Sequence, residues 1–139
     1  LNVPALAAAN SSLSCKDLNY HYSLNWLGMV SDYTNLASQK EQPGMVAPKR
    51  ILVELSIQSI NGGIDWLPLN PHISDNLGRV YNDYKVIVEP ISGNGDVSIK
   101  YIINPLGLNI KSISLFEAGE SDDGKKSYRM SLKNLPLTK

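Results

Sequence analysis

The densest chemistry in this chain is the stretch SISLFEAGESDDGKKSYRMSL, residues 112–132. Glu117, Glu120, Asp122 and Asp123 fall within seven residues there, and Lys125 and Lys126 follow directly. Carboxylates at that spacing suit three kinds of work: a hard-cation loop, an acid–base pair, or a solvated turn. A calcium loop of the EF-hand type wants acidic or amide groups at positions 1, 3 and 5, then Gly at 6. With Gly124 at position 6, those places fall on Gly119, Ser121 and Asp123, and one acid is too few. Glycosidase carboxylates must face each other across a cleft. Carboxylates this close in sequence, flanked by strand patterns, instead share one exposed tip. A tip does not desolvate an acid, and desolvation is what raises a carboxyl pKa for catalysis. The pattern predicts a solvated hairpin tip over residues 117–126.

The other candidates for chemistry are few. Cys15, His21 and His72 are the only soft metal ligands in the chain. A structural zinc site needs three or four such ligands at recognisable spacing, and these three have none. A serine hydrolase needs a nucleophile, a base and an orienting carboxylate. Serines are plentiful, but no G-x-S-x-G elbow exposes one. Gly93-Asn94-Gly95 lacks the third glycine and the following helix of a dinucleotide site, and it reads as a turn. No catalytic residue, metal site or cofactor is expected. The apolar, proline-stiffened loop IDWLPL is a better place for function. Its Trp66, Leu67 and Leu69 are candidate interface anchors, as are Val3 and Leu6 near the start.

The elements that position these residues show in the period of the apolar side chains. Leu18, Tyr20, Tyr22, Leu24 and Trp26 fall on alternate positions, with Asn19, His21, Ser23 and Asn25 between them. Period two argues for a half-buried strand. The same alternation recurs in Ile51, Val53, Leu55 and Ile57, then in Tyr84, Val86 and Val88, then in Val97, Ile99 and Tyr101. It returns in LNIKSISLF, residues 108–116, where the apolar phase slips between Ile110 and Ile113 and predicts a bulge near Lys111 and Ser112. Tyr128, Met130 and Leu132 close the series, so residues 112–116 should pair with 127–132. Ser31 or Asp32 can cap a short helix that Pro43-Gly44 stops. Pro68 and Pro71 argue against a central strand across residues 64–78 and predict a loop there.

Many short strands without a repeating strand–helix pattern mean a mainly β fold. An antiparallel β-sandwich or partly open barrel with one or two short helices is expected; α+β is the alternative. One domain suits 139 residues, with residues 1–16 as a flexible or linking N-terminal arm and 17–139 as the globular part. Thirteen basic residues balance thirteen acidic ones. A neutral chain lacks the broad positive field that drives non-specific binding to nucleic acid or anionic membranes. One cysteine permits no intrachain disulfide, and no run of eighteen apolar residues spans a membrane.

The aromatic strand LNYHYSLNWL after a loose arm, then a short helix and a β-rich remainder, is a layout seen elsewhere. In it the chain resembles matrix proteins of negative-strand RNA viruses, such as the rhabdoviruses. The resemblance implies self-association beneath an envelope and contact with a nucleocapsid. It makes residues 1–14 the linking arm and places the protein in a virion or host cytoplasm. The basic N-terminal region and Pro-Pro-x-Tyr motif usual in that family are missing from this sequence. The expected function is thus a non-enzymatic structural protein that self-associates, with copies of itself, a nucleocapsid or other structural proteins as partners. The soluble head of a bacterial pilin-like or other exported surface subunit is the alternative, with ALAAANSSL as the tail of an apolar helix. A small hydrolase is the third.

Overall fold

The computed structural model describes residues 13–31, 49–60, 62–91, 96–107 and 109–137. Among these, nine strands follow one another: β1 (Ser14–Lys16), β2 (Tyr20–Ser31), β3 (Lys49–Ser59), β4 (His72–Asp75), β5 (Val80–Tyr81), β6 (Tyr84–Pro90), β7 (Val97–Ile103), β8 (Ser112–Glu120) and β9 (Ser127–Pro136). They make two antiparallel sheets. The first has the order β1-β2-β3-β7-β6 and the second β5-β4-β8-β9. Neither closes into a barrel. Inner-face residues of both sheets join in one buried cluster, with Tyr22, Leu55 and Tyr101 from the first and Ile73, Leu115 and Met130 from the second. The chain is mainly β, as the alternation predicts, and its architecture is a β-sandwich. The described residues include no helix; the one expected after Ser31 falls on residues that lie outside them.

Alternation builds the sandwich because side chains of successive strand residues point to opposite faces. In β3, Ile51, Val53, Leu55 and Ile57 are all fully buried, and in β7 so are Ile99, Tyr101 and Ile103. Burying such a side chain contributes about 1.5–3 kcal/mol, so these two central strands anchor the core. Leu13 is buried and Ser14–Lys16 pair with β2, so the described end of the expected arm is part of the first sheet.

Three local expectations are corrected. The first concerns β2, whose alternation does not run unbroken from Leu18 to Trp26. Leu18 stands in the turn before β2 at 83% exposure. Asn25 is an extra residue in the pairing with β3, since Leu24 opposes Leu55 while Trp26 opposes Glu54. A bulge flips the phase. Leu27 takes the inward position, and Trp26 turns outward to lie over Gly28, where an added Cβ would come within 2.6 Å of its ring.

The second concerns residues 64–78, which are not all loop. His72–Asp75 form β4, an interior strand between β5 and β8. Pro71 immediately precedes it, so the proline's missing N–H falls outside the ladder. The third concerns the slip between Ile110 and Ile113. It is not a bulge in β8, because Ile110 precedes that strand, after Asn109 at a positive φ of 67°. The bulge lies opposite, in β9. Ile113 pairs with Leu135 and Leu115 with Leu132, and Asn134 takes a φ of 56°.

Candidate functional site

The acidic stretch closes a hairpin between β8 and β9 as expected, but with another register. Residues 112–116 lie opposite 131–136 rather than 127–132, and residues 117–120 continue the strand opposite 127–130, which confines the tip to residues 121–126. Its tip satisfies itself. Asp123 accepts hydrogen bonds from the Ser121 hydroxyl (2.7 Å) and the Lys125 amide (3.0 Å), and the Ser121 hydroxyl accepts from the Lys126 amide. The Ser121 hydroxyl, with the Lys125 amide, holds Asp123 below the usual carboxylate range. Gly124 supplies the positive φ of 71°. Glu117 leaves the cluster altogether. It stands on the inward side of β8, where burial pushes its carboxyl up, partly offset by the Asn70 amide it accepts at 2.9 Å. Among the described residues no three His, Cys, Asp or Glu side chains converge as metal ligands.

The two histidines sit on different sheets. Tyr20 and Tyr22 point inward, so His21 between them lies on the outer face of the first sheet. Ile73 points inward, so His72 beside it lies on the outer face of the second. The core separates them. His72 borders a shallow groove of about 240 Å³ with Ser74, Ser114, Phe116, Arg129 and Ser131, and no carboxylate lines it to orient the imidazole. Cys15 accepts a hydrogen bond from the Ser131 amide at 3.4 Å. Burial pushes its thiol up, away from the reactive thiolate.

The loop of Trp66, Leu67 and Leu69 is held by tyrosine hydroxyls where strand pairing is missing. Tyr20 Oη accepts the amides of Asp65 and Trp66 and donates to the Trp66 carbonyl. Tyr101 Oη donates to the Pro68 carbonyl at 2.6 Å, and Tyr84 Oη donates to the Pro71 carbonyl and the Asn70 side chain. Buried backbone groups need such partners. Tyr128 donates to Asp65, whose charge that bond favours, with Lys126 Nζ 3.6 Å from the other oxygen. Trp66 stacks on Tyr128 with ring centroids 5.1 Å apart and planes 7° from parallel. Trp66 and Leu67 therefore pack against the core, while Leu69 reaches solvent at 51% exposure. Val3 and Leu6 lie outside the described residues.

The stacked pair needs Gly119. A Cβ there would run into the Trp66 indole nitrogen. Gly119→Ala should cost about 1–3 kcal/mol, as overpacking does. Urea unfolding should show the loss, and the Trp66 indole N–H resonance should move. An unchanged midpoint would show that the ring has room to shift.

The sheet edges differ most in what they leave open. The edges of β1 and β9 face each other and are closed by side chains. Asp17 accepts the Arg129 amide (2.7 Å), Cys15 accepts the Ser131 amide, and Asn19 Nδ2 donates to the Ser127 carbonyl (2.9 Å). At the opposite side β5 has only two residues before the chain turns into β6. The last strand of the first sheet, β6, runs seven residues. Its Ile87 is 39% and its Val88 37% exposed. Among the described residues β7 is the one strand it pairs with.

Sequence reasoning identified β6 as a strand but gave no reason to single it out. The signal lay in YKVIVEP itself, where Ile87 and Val88 are flanked by Lys85 and Glu89 and closed by a proline. Compared with known proteins, the chain matches no family model, no curated protein and no solved structure.

Proposed function

We propose that this chain is a non-enzymatic structural protein that assembles with other protein through the open edge of β6. The observation that supports this reading is the contrast among the four sheet edges that the described residues form. Three are short or closed by side chains, and the fourth is a seven-residue strand with apolar side chains at its surface. Soluble proteins blunt such edges, because unpaired strands recruit others. An exposed edge of this length is suited to β-strand addition.

A mass measurement against concentration tests the proposal. The 15.3 kDa chain should gain mass in light scattering as its concentration rises. Ile87→Lys, which puts a charge at the middle of the edge, should hold it as a monomer with an unchanged melting temperature. A strictly monomeric parent at several hundred micromolar would sink the assembly reading.

The finer form of the proposal is a viral matrix-type role, with self-association and nucleocapsid contact. It rests on the layout of arm, aromatic strand and β-rich remainder. In that role residues 1–12 would form a second link, so their removal should lower the assembled mass further. Leu13 must be kept, because it belongs to the core.

A further inference from the structure

We infer that the partner of β6 is a second copy of this chain, paired antiparallel about a two-fold axis at Ile87. This rests on the assembly reading and specifies its partner and register.

The direction of the backbone groups limits the choices. Asn104 N–H donates to the Asp83 carbonyl and Ile91 N–H to the Asp96 carbonyl, both in line with the β6–β7 register. Odd-numbered residues of β6 therefore turn their N–H and C=O toward β7. In an antiparallel ladder the alternate residues turn theirs the other way. Tyr84, Val86, Val88 and Pro90 thus direct their backbone groups to the open edge. Pro90 falls at one of these positions, where its missing N–H removes nothing from the β6–β7 ladder.

Two copies of this edge can bond only with even residues opposite even residues. Three such symmetric registers keep most of the strand paired, centred on Val86, Ile87 or Val88. Centring on Val86 sets Lys85 against Ile87 of the second copy. Centring on Val88 sets Ile87 against Glu89. Centring on Ile87 sets Lys85 opposite Glu89 twice and Ile87 opposite itself, and it is the only one of the three that pairs charge with charge and apolar with apolar. There Val86 and Val88 exchange both backbone bonds with Val88 and Val86 of the second copy. The Tyr84 amide reaches the Pro90 carbonyl. Lys85, Ile87 and Glu89 fall at non-hydrogen-bonded positions, where facing side chains come closest. Glu89 already lies 3.2 Å from Lys100 within its own chain, which sets its carboxylate on this outer face. The joined sheet has ten strands, five from each copy.

Cysteine pairing reads the register directly. In a Cys15→Ser background, Ile87→Cys should form a disulfide-linked dimer on mild oxidation. Its Cα atoms would lie about 4.5 Å apart, within disulfide reach. Lys85→Cys alone and Glu89→Cys alone should not link, but a mixture of the two should. Lys85→Glu should weaken dimerisation tenfold or more in sedimentation equilibrium, and adding Glu89→Lys should restore it. A chain that gains mass with concentration but links no better through Ile87→Cys than through Lys85→Cys would overturn this register and leave the assembly reading standing. A chain that stays monomeric overturns both.

Discussion

Asp75→Ala should cost about 3–5 kcal/mol, the range for removing one partner of a buried, hydrogen-bonded ion pair. The Asp75 side chain is fully buried at the end of β4 and carries four donors. Its Oδ1 accepts the amides of Leu77 (2.8 Å) and Arg79 (3.1 Å), and its Oδ2 accepts Arg79 Nε (2.7 Å) and the Tyr81 hydroxyl (2.6 Å). One carboxylate thus builds the turn from β4 to β5 and ties a buried tyrosine to it. Alanine leaves those donors without their acceptor. At a slope of about 2 kcal/mol per molar urea, the unfolding midpoint should fall by about 2 M. Asp75→Asn keeps an acceptor without the charge and should lie between.

The same carboxylate sets a pH dependence. Burial works against its charge, but the Tyr81 hydroxyl, Arg79 and the two amides outweigh that and hold its pKa below the ordinary aspartate value. Burial, and then the bond to Asp75, push the Tyr81 hydroxyl up to about 12. A depressed folded pKa contributes stability that is fully present above the unfolded value, about 3.9. It is lost as pH falls through the lower, folded value. The gap between wild type and Asp75→Ala should therefore be widest near neutrality and shrink below about pH 4. A gap that stays constant down to pH 2 would mean that the charge has no part in it.

Asp17→Ala should be the next most damaging change, costing about 2–4 kcal/mol through several charge-assisted hydrogen bonds lost together. Asp17 Oδ1 accepts the amides of Asn19 (2.8 Å) and Tyr20 (2.7 Å), which forms the turn from β1 to β2. Its Oδ2 accepts the hydroxyl of fully buried Tyr22 (2.8 Å) and, across the sandwich edge, the Arg129 amide of β9 (2.7 Å). Burial and that carboxylate both push the Tyr22 hydroxyl pKa up. The variant should lose stability and also open the closed edge. Hydrogen exchange at the Arg129 amide should speed up by more than the global loss explains. Protection there that only follows global stability would show that the edge is held by packing alone. Combined with Tyr22→Phe, the two losses should sum to more than the double variant's, because the residues share one bond.

These two aspartates show why the carboxylates most visible in the sequence are not the ones that hold the structure. The acidic stretch stands out because its charges are neighbours along the chain. Asp123 takes its donors from within two residues. Asp17 meets the Arg129 amide across 112 residues. No local pattern records such a meeting, and a single aspartate between Lys16 and Leu18 looks like ordinary surface charge. Asp75 left a fainter trace: an aspartate three residues before Gly78, whose φ is 80°, is turn chemistry.

By itself the sequence determined the class of fold, the inward faces of β3, β7 and β9, and the pairing of β8 with β9. A strand's faces alternate with period two, and a hairpin joins neighbours, so both leave their mark in consecutive residues. The tertiary structure decided what depends on residues far apart. It turned Trp26 outward through the bulge at Asn25, and it placed β4 inside a sheet just after Pro71. It sealed β9 with the side chains of Cys15, Asp17 and Asn19 and, among the described residues, left β6 as the last strand of the first sheet. Which strand ends a sheet depends on how the apolar faces of strands far apart in sequence pack together, and that packing leaves no mark in consecutive residues.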